Sequence, residues 1–295
     1  MTYQIFIQQL INGISLGSLY GLIAIGYTMV YGILRLINFA HGDVMMMSCY
    51  FAFFGILVFS LPWWLSFIIA IALTGLLGML IDKGAYKPVR KAPRISALIT
   101  AIGVSFLLEN LALVIWGGRP KAFYQPKFFS KKIVIAGVHL VSLSIWIPLI
   151  TALLLIIVMW ILYRTKTGMA MRSISRDMET TALMGINVDS IISKTFILGS
   201  ILAGAGGMMW AMKYPQVNPF IGIIPGLKAF VAAVLGGIGN VPGAVLGGFL
   251  LGITEIMLVA LLPDLAGYRD AFAFIILIGI LIFRPTGILG EVLPE

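Results

Sequence analysis

Polar residues that interrupt long apolar runs are the first places to look for chemistry in this sequence. The segment RLINFAHGD at 35–43 brings Asn38, His41, Gly42 and Asp43 together. The segment GGIGNVPG at 236–243 supplies Gly239, Asn240 and Gly243. Non-helical backbone at membrane depth persists only where protein buries it or where it lines a wet cavity. Paired Gly/Pro-interrupted stretches in the two halves of a transporter mark a substrate path. Both segments hold an Asn followed closely by a Gly, the trace of an internal repeat. The alternative is a pair of tight turns between hairpinned helices. Together these residues make up the candidate translocation path, and the two segments are expected to approach each other or a partner chain.

Glu109 and Glu255 lie inside apolar runs. Intramembrane carboxylates are costly and turn toward the bundle interior or a cavity. Each could serve a proton relay, but with no obvious cation inside the membrane to pair with them, structural roles are favoured. Other chemistry is missing from the sequence. It has no G-x-x-x-x-G-K-[ST] loop for nucleotide phosphates, no nucleophile elbow and no H-E-x-x-H pair. Cys49 is the single cysteine, and His41 and His139 are far apart. Neither a disulfide within the chain nor a thiolate metal site can form, so no metal and no resident cofactor are expected.

The stretch TGMAMRSISRDMETTALMGINVD at 167–189 is the most informative polar part. Ala182, Leu183 and Ile186 fall on one helical face, with Arg176 and Glu179 near the other. Gly185 and Asn187 then stop the helix, because both tolerate the left-handed backbone that ends one. Periodicity alone leaves two readings: an amphipathic connector on the membrane surface, or a helix that docks into a soluble partner.

These segments sit in a chain of 295 residues that is 60% hydrophobic and only 11% charged, with a mean hydropathy of +1.06. Soluble domains are about 45–50% apolar and about 25% charged. Soluble enzymes, secreted disulfide scaffolds and disordered proteins are thereby excluded, which leaves an all-α polytopic membrane protein. The net charge of +9 comes from short basic segments between apolar runs, so it sets topology rather than binding nucleic acid. A spanning helix needs about 20 apolar residues. By that measure residues 5–34, 44–61, 63–81, 95–116, 142–163, 191–212, 243–262 and 271–283 are spans, and 223–237 is a broken or re-entrant half-helix. The first 34 residues carry no charged side chain, so they read as a membrane helix and not as a signal peptide. The chain forms one transmembrane domain, 1–295.

The basic loops 82–94 and 164–190 are two spans apart and both fit the cytoplasm. That places the N-terminus and the 117–141 loop outside, although this loop carries Arg119, Lys121, Lys127, Lys131 and Lys132. Flipping the chain would expose two basic loops instead of one. Small residues spaced four apart favour close helix packing in lipid. Gly13, Gly17 and Gly21 form one such ridge; Gly199, Ala203 and Gly207 form another.

Several segments jointly resemble the branched-chain amino acid permeases of ATP-binding-cassette importers (LivH type). They are GLIAIGYTMVYGILRLINFAHGDVMM at 21–46, AYKPVRKAPRISALITAIGVSFLLEN at 85–110, TKTGMAMRSISRDMETTALMGINV at 165–188, KAFVAAVLGGIGNVPGAVLGG at 228–248 and YRDAFAFIILIGILIFRPTGILGE at 268–291. The resemblance runs over nearly the whole chain and is weakest in the 117–141 loop. Importer permeases carry a cytoplasmic coupling helix of the form E-A-A-x3-G. Here Glu179-Thr180-Thr181 with Gly185 has that spacing, Thr replaces both Ala residues, and the Leu-Pro pair of other importer classes is lacking.

The resemblance implies a multi-pass subunit of the bacterial inner membrane, in contact with lipid, that imports Leu, Ile and Val. Arg176, Asp177, Glu179, Thr181, Leu183, Met184 and Gly185 would couple it to the ATPase. The implied partners are a similar second permease (LivM type), two cytoplasmic ATPases that hold the ATP and Mg, and a periplasmic or extracellular substrate-binding protein. Lys121, Lys127, Lys131 and Lys132 would face that binding protein. Permeases for urea, amides or other amino acids have closely similar motifs. A proton-coupled secondary transporter using Glu109, Glu255 and Asp43 is the reading from another class.

Overall fold

The structure, a computed structural model, describes residues 3–90, 92–135 and 137–290. Lys91 of the basic loop and Glu291 of the last motif lie outside the described residues. In chain order the helices are α1 (Tyr3–Leu34), α2 (His41–Leu57), α3 (Trp63–Ile81), α4 (Arg94–Trp116), α5 (Ser142–Arg164), α6 (Lys166–Arg176), α7 (Met178–Leu183), α8 (Val188–Lys213), α9 (Ile223–Gly236), α10 (Val241–Leu261) and α11 (Arg269–Phe283). A π-helical turn, Asp82–Tyr86, prolongs α3, and a 3-10 turn, Pro263–Tyr268, leads into α11.

Seven helical stretches among the described residues are long and apolar enough to cross a membrane; α2 and α9 are the shorter apolar helices. The expected half-helix at 223–237 is therefore present as α9. Residues 44–61 form a second half-helix instead of a full span. With 17 residues, α2 measures about 26 Å, less than the hydrocarbon core needs. Its start lies at membrane depth, because the His41 Nε2 sits 3.2 Å from the Ile23 carbonyl oxygen, in the middle of α1. Arg35 ends α1 in the left-handed region, at φ +52°. The chain then climbs back along α1 by about 16 Å before α2 begins.

The second half of the chain repeats this device in the opposite direction. Helix α8 runs antiparallel to α1, the chain turns back into the bundle at 214–222, and α9 starts against α2. A Cβ placed on Gly42 would stand 2.5 Å from the Gly222 carbonyl oxygen and 3.2 Å from the Gly226 Cα. Helices α1 and α8 cross at another glycine pair, where a Cβ on Gly199 would lie 3.2 Å from the Gly26 oxygen. The counterpart of the 35–40 break is thus 214–222. The 236–243 segment, read from the sequence as its match, is a tight turn between α9 and α10.

Both glycine ridges make the close approaches expected of them. Gly17 and Gly21 meet α10, where Cβ atoms would stand 2.7 Å from the Phe249 Cα and 3.2 Å from the Val245 Cα. Lipid tails are as apolar as leucine, so such helices associate through packing at short range, which small residues permit. Gly207 of the other ridge meets Met45 and Ser48 of α2, while Gly199 meets α1.

At one end of the bundle, Asp189 pairs with Arg90 at 2.5 Å and Lys87 at 2.9 Å, joining the two basic loops assigned to the cytoplasm. Arg90 also binds Asp82, which accepts from the Ser193 hydroxyl at 2.5 Å. At the other end the 117–141 loop folds into a hairpin, β1 (Lys121–Ala122) lying apart from β2 (Lys132–Ile135) and β3 (Val138–Val141). Strand β1 pairs with β4 (Gln216–Val217), which ties the loop to the break before α9.

Candidate functional site

The polar residues before and at the start of α2 are buried. The Tyr86 hydroxyl donates to the Asn38 Oδ1 at 2.7 Å, fixing the climbing segment against the end of α3. Asp43 is 2% exposed and accepts from the Ser105 hydroxyl on α4 at 2.5 Å. Its Oδ1 has no hydrogen-bond partner. Glu109 follows one turn after Ser105 and is also buried. His41, Gly42 and Asp43 therefore form a polar knot where α1, α2, α4 and α9 converge.

Gly239, Asn240 and Gly243 lie elsewhere, at the end of the bundle that holds the 164–190 segment. Asn240 caps α10 by accepting from the Gly243 amide at 2.9 Å, and its Nδ2 donates to the Leu289 carbonyl at 2.9 Å. Gly239 takes φ +101° to close the turn. The structure does not bring this turn to His41 and Asp43; what meets Gly42 is Gly222 and Gly226. Gly239 and Asn240 instead line a cleft of about 840 Å³ beside the C-terminal halves of α1 and α5. Arg176 is on its rim.

The 164–190 segment holds two helices where the pattern read as one. Thr165 caps α6 by accepting from the Gly168 amide at 3.0 Å. Asp177 breaks the chain out of α6 and caps α7, accepting from the amides of Glu179 and Thr180 at 3.0 Å each. The Thr180 hydroxyl donates to the same carboxylate at 2.5 Å. These bonds, the Thr180 side chain first, hold the Asp177 carboxyl below the usual carboxylate range. Gly185 stops the helix at φ +82°. Thr181 turns inward and donates to the Asp177 carbonyl at 2.5 Å, while Arg176 and Glu179 face solvent. Leu183 and Met184 are 87% and 78% exposed at the tip. An apolar pair held outward on a doubly capped hairpin is a surface shaped for a partner.

Of the lysines in the 117–141 loop, Lys127, Lys131 and Lys132 are exposed and Lys121 is half-buried. Among the described residues no three His, Cys, Asp or Glu side chains gather as a metal site.

The sequence reading missed a cation. Lys228 on α9 is 1% exposed and bridges the Glu255 Oε1 at 2.8 Å and the Asp270 Oδ1 at 2.5 Å. The Tyr20 hydroxyl donates to the other Glu255 oxygen at 3.0 Å, and Arg269 approaches Glu255 to 3.4 Å. Glu255 is therefore a paired structural carboxylate with a membrane-embedded partner, contrary to the expectation that none was at hand. A lone lysine inside the apolar run 223–237 was the available signal.

Helices of these lengths, two half-helices inserted from opposite ends and an exposed hairpin describe a membrane bundle, and comparison with known proteins gives its kind. The sequence model of the family described as "Branched-chain amino acid transport system / permease component" matches residues 9–281. The chain belongs to that family. The permease is 42% identical to the high-affinity branched-chain amino acid transport system permease protein BraD of Pseudomonas aeruginosa, covering 97% of this chain and 96% of that protein. It is 41% identical to the corresponding permease LivH of Escherichia coli K12, over 97% and 96% of the two chains. A more distant relative is the autoinducer 2 import system permease protein LsrC of Yersinia pestis, 29% identical over 64% of this chain and 54% of that protein. The permease is a multi-pass membrane protein, and its role is transport.

Proposed function

We propose that this chain is the permease subunit of an ATP-binding-cassette importer for Leu, Ile and Val in the bacterial inner membrane. In this reading it pairs with a second, similar permease, receives substrate from an external binding protein and is driven by two cytoplasmic ATPases that hold ATP and Mg. The observation that carries the reading is the exposed Leu183–Met184 tip on α7, at the same end as the basic loops. Arg176, Asp177, Glu179, Thr181 and Gly185 shape and flank that tip. A rigid, separately capped helix transmits motion because a push on its tip is not absorbed by bending.

Transport then follows from differential contacts: ATP-bound and ATP-free ATPases favour different arrangements of the permease pair. The knot at Asn38, His41, Gly42 and Asp43 is the element that would move, since it joins half-helices from both halves of the chain. The Gly239–Gly243 turn borders the cytoplasmic exit.

The test is ATP-driven uptake of labelled leucine by the reconstituted importer, with Leu183→Asp and Met184→Asp in the permease. Both side chains lie in solvent, so the fold should persist while uptake falls at least about tenfold, the effect of losing roughly 1.4 kcal/mol of interface energy. Wild-type uptake by both variants would remove the coupling role from α7. Uptake driven by a proton gradient without ATP would favour a secondary transporter instead.

A further inference from the structure

The cleft at the ends of α1 and α5, beside the exit proposed above, holds more fixed cations than the single carboxylate of a passing amino acid calls for. Three guanidinium groups, Arg35, Arg172 and Arg176, line it, and no Asp or Glu is among its lining residues. Asp177 and Glu179 border an adjoining groove that Arg35 and Arg176 also line, and Asp177 is occupied in capping α7. Arg35 reaches from its left-handed position to the Ser175 carbonyl at 3.4 Å. Arg172 is set over the Tyr163 ring at 4.9 Å from its centre. Two of the three cations are thus pre-oriented by the protein before any anion arrives.

The inner wall is of the opposite character, with Ile33, Met159 and Leu162 among its residues. The cleft exists because α5 is a peripheral helix. Its Thr151 hydroxyl bonds the Ser18 carbonyl at 3.2 Å near mid-length, and its later residues Ile156 and Trp160 are exposed, as is Tyr163 beside the cleft. An exposed Trp and Tyr one turn apart near a helix end mark the level of the membrane interface. A cationic rim at that level above an apolar wall fits an amphiphile whose anionic group lies at the surface.

We propose that this cleft binds the phosphate-bearing headgroup of an anionic phospholipid of the cytoplasmic leaflet, with the acyl chains lying along α5. Guanidinium forks match phosphate oxygens in pairs, which lysines do not. Cytoplasmic leaflets present anionic headgroups at this height, and basic pockets between membrane helices are suited to them. At about 840 Å³ the cleft is within the usual range for one small-molecule group. The bound lipid would brace α5 and α6 against α1, directly beside the α7 hairpin.

Native mass spectrometry of the full chain tests this, with phosphatidylglycerol, phosphatidylcholine and inorganic phosphate as probes. The expected result is one retained phosphatidylglycerol, preferred over phosphatidylcholine, that millimolar inorganic phosphate does not displace. The double variant Arg35→Gln/Arg172→Gln should lower retention about tenfold or more, as two charge-assisted contacts are lost. Lys83→Gln, an exposed cation at the same end but outside the cleft, should leave retention unchanged and controls for general charge and for folding. Equal loss in the Lys83 variant, or no loss in the double variant, overturns the proposal. Displacement by phosphate alone would reassign the cleft to a soluble anion. Retention by the isolated chain that vanishes in the assembled importer would make it a protein interface instead.

Discussion

The two half-helices enter the bundle by the same manoeuvre yet solve opposite electrostatic problems. Near the start of helix α2 lies an acid: Asp43 has a serine donor, Ser105, and a second oxygen without a hydrogen-bond partner, Glu109 follows one turn after that serine on α4, and no ion pair among the described residues involves either carboxyl. Helix α9 carries a base, Lys228, hydrogen-bonded to Glu255 and ion-paired with Asp270 outside hydrogen-bond geometry, with a tyrosine on the other Glu255 oxygen. One half is held by packed glycines and single hydrogen bonds; the other is locked by a neutralised charge cluster. A moving element and a fixed one are expected to differ in this way, because a satisfied buried ion pair has one good geometry while a lightly bonded acid tolerates several.

The largest effect should come from opening the lock. Replacing Glu255 by Ala leaves Lys228 buried with only the half-exposed Asp270, and breaking a buried pair from one side costs about 3–5 kcal/mol. Adding Lys228→Met should recover most of that loss, because removing both charges also removes the desolvation penalty. Equilibrium unfolding of the purified permease in detergent measures both. A double variant as unstable as Glu255→Ala would mean that the cluster holds α1, α9, α10 and α11 by more than charge neutralisation.

Asp43→Asn is the matched change on the other half-helix and should be mild. The amide oxygen still accepts from Ser105, and no cation is abandoned, so the stability change should stay within about 1 kcal/mol, the usual size of one hydrogen bond. Uptake, by contrast, should respond, because the residue sits where the two halves meet. A loss of stability as large as that of Glu255→Ala would break the contrast between the halves.

How much of this was readable follows the same division. Full spans announced themselves by length, and the Gly13–Gly17–Gly21 spacing named the face of α1 that meets α10. The break at 35–43 was visible because Asn, His and Asp stand out in apolar sequence. Its counterpart at 214–222 was not, since YPQVNPFIG reads as an ordinary loop, and depth is a property of the fold. The glycine-rich 236–243 turn attracted the assignment because φ > 0 is needed both in tight turns and in broken helices. Helix α2 passed for a span because its 17 residues are close to the required length. In the 164–190 segment the Gly185 stop was legible, whereas the Asp177 cap, written as Asp followed two residues later by Glu, was overlooked inside a longer periodic pattern.

The outward lysines carry the comparison to its third case, charges left in water. Lys127, Lys131 and Lys132 are exposed and Lys121 half-buried on the face assigned to the binding protein, and salt-screened charges at a rim act on encounter more than on final affinity. Replacing all of them with Gln should leave unfolding unchanged within about 0.5 kcal/mol, as for ordinary surface substitutions. What should change is ATP hydrolysis stimulated by the binding protein. At low salt the variant should need more binding protein for half-maximal stimulation, and that requirement should vary less with ionic strength, because the attraction reaches only about 8 Å at physiological salt. If stimulation keeps the wild-type salt slope, these lysines are merely solvated or lie on lipid phosphates, and the loop is a simple exception to the charge rule of topology. Labelling of the 117–141 loop from the cytoplasmic side would do more damage, since it would invert the permease and exchange the roles of its two half-helices.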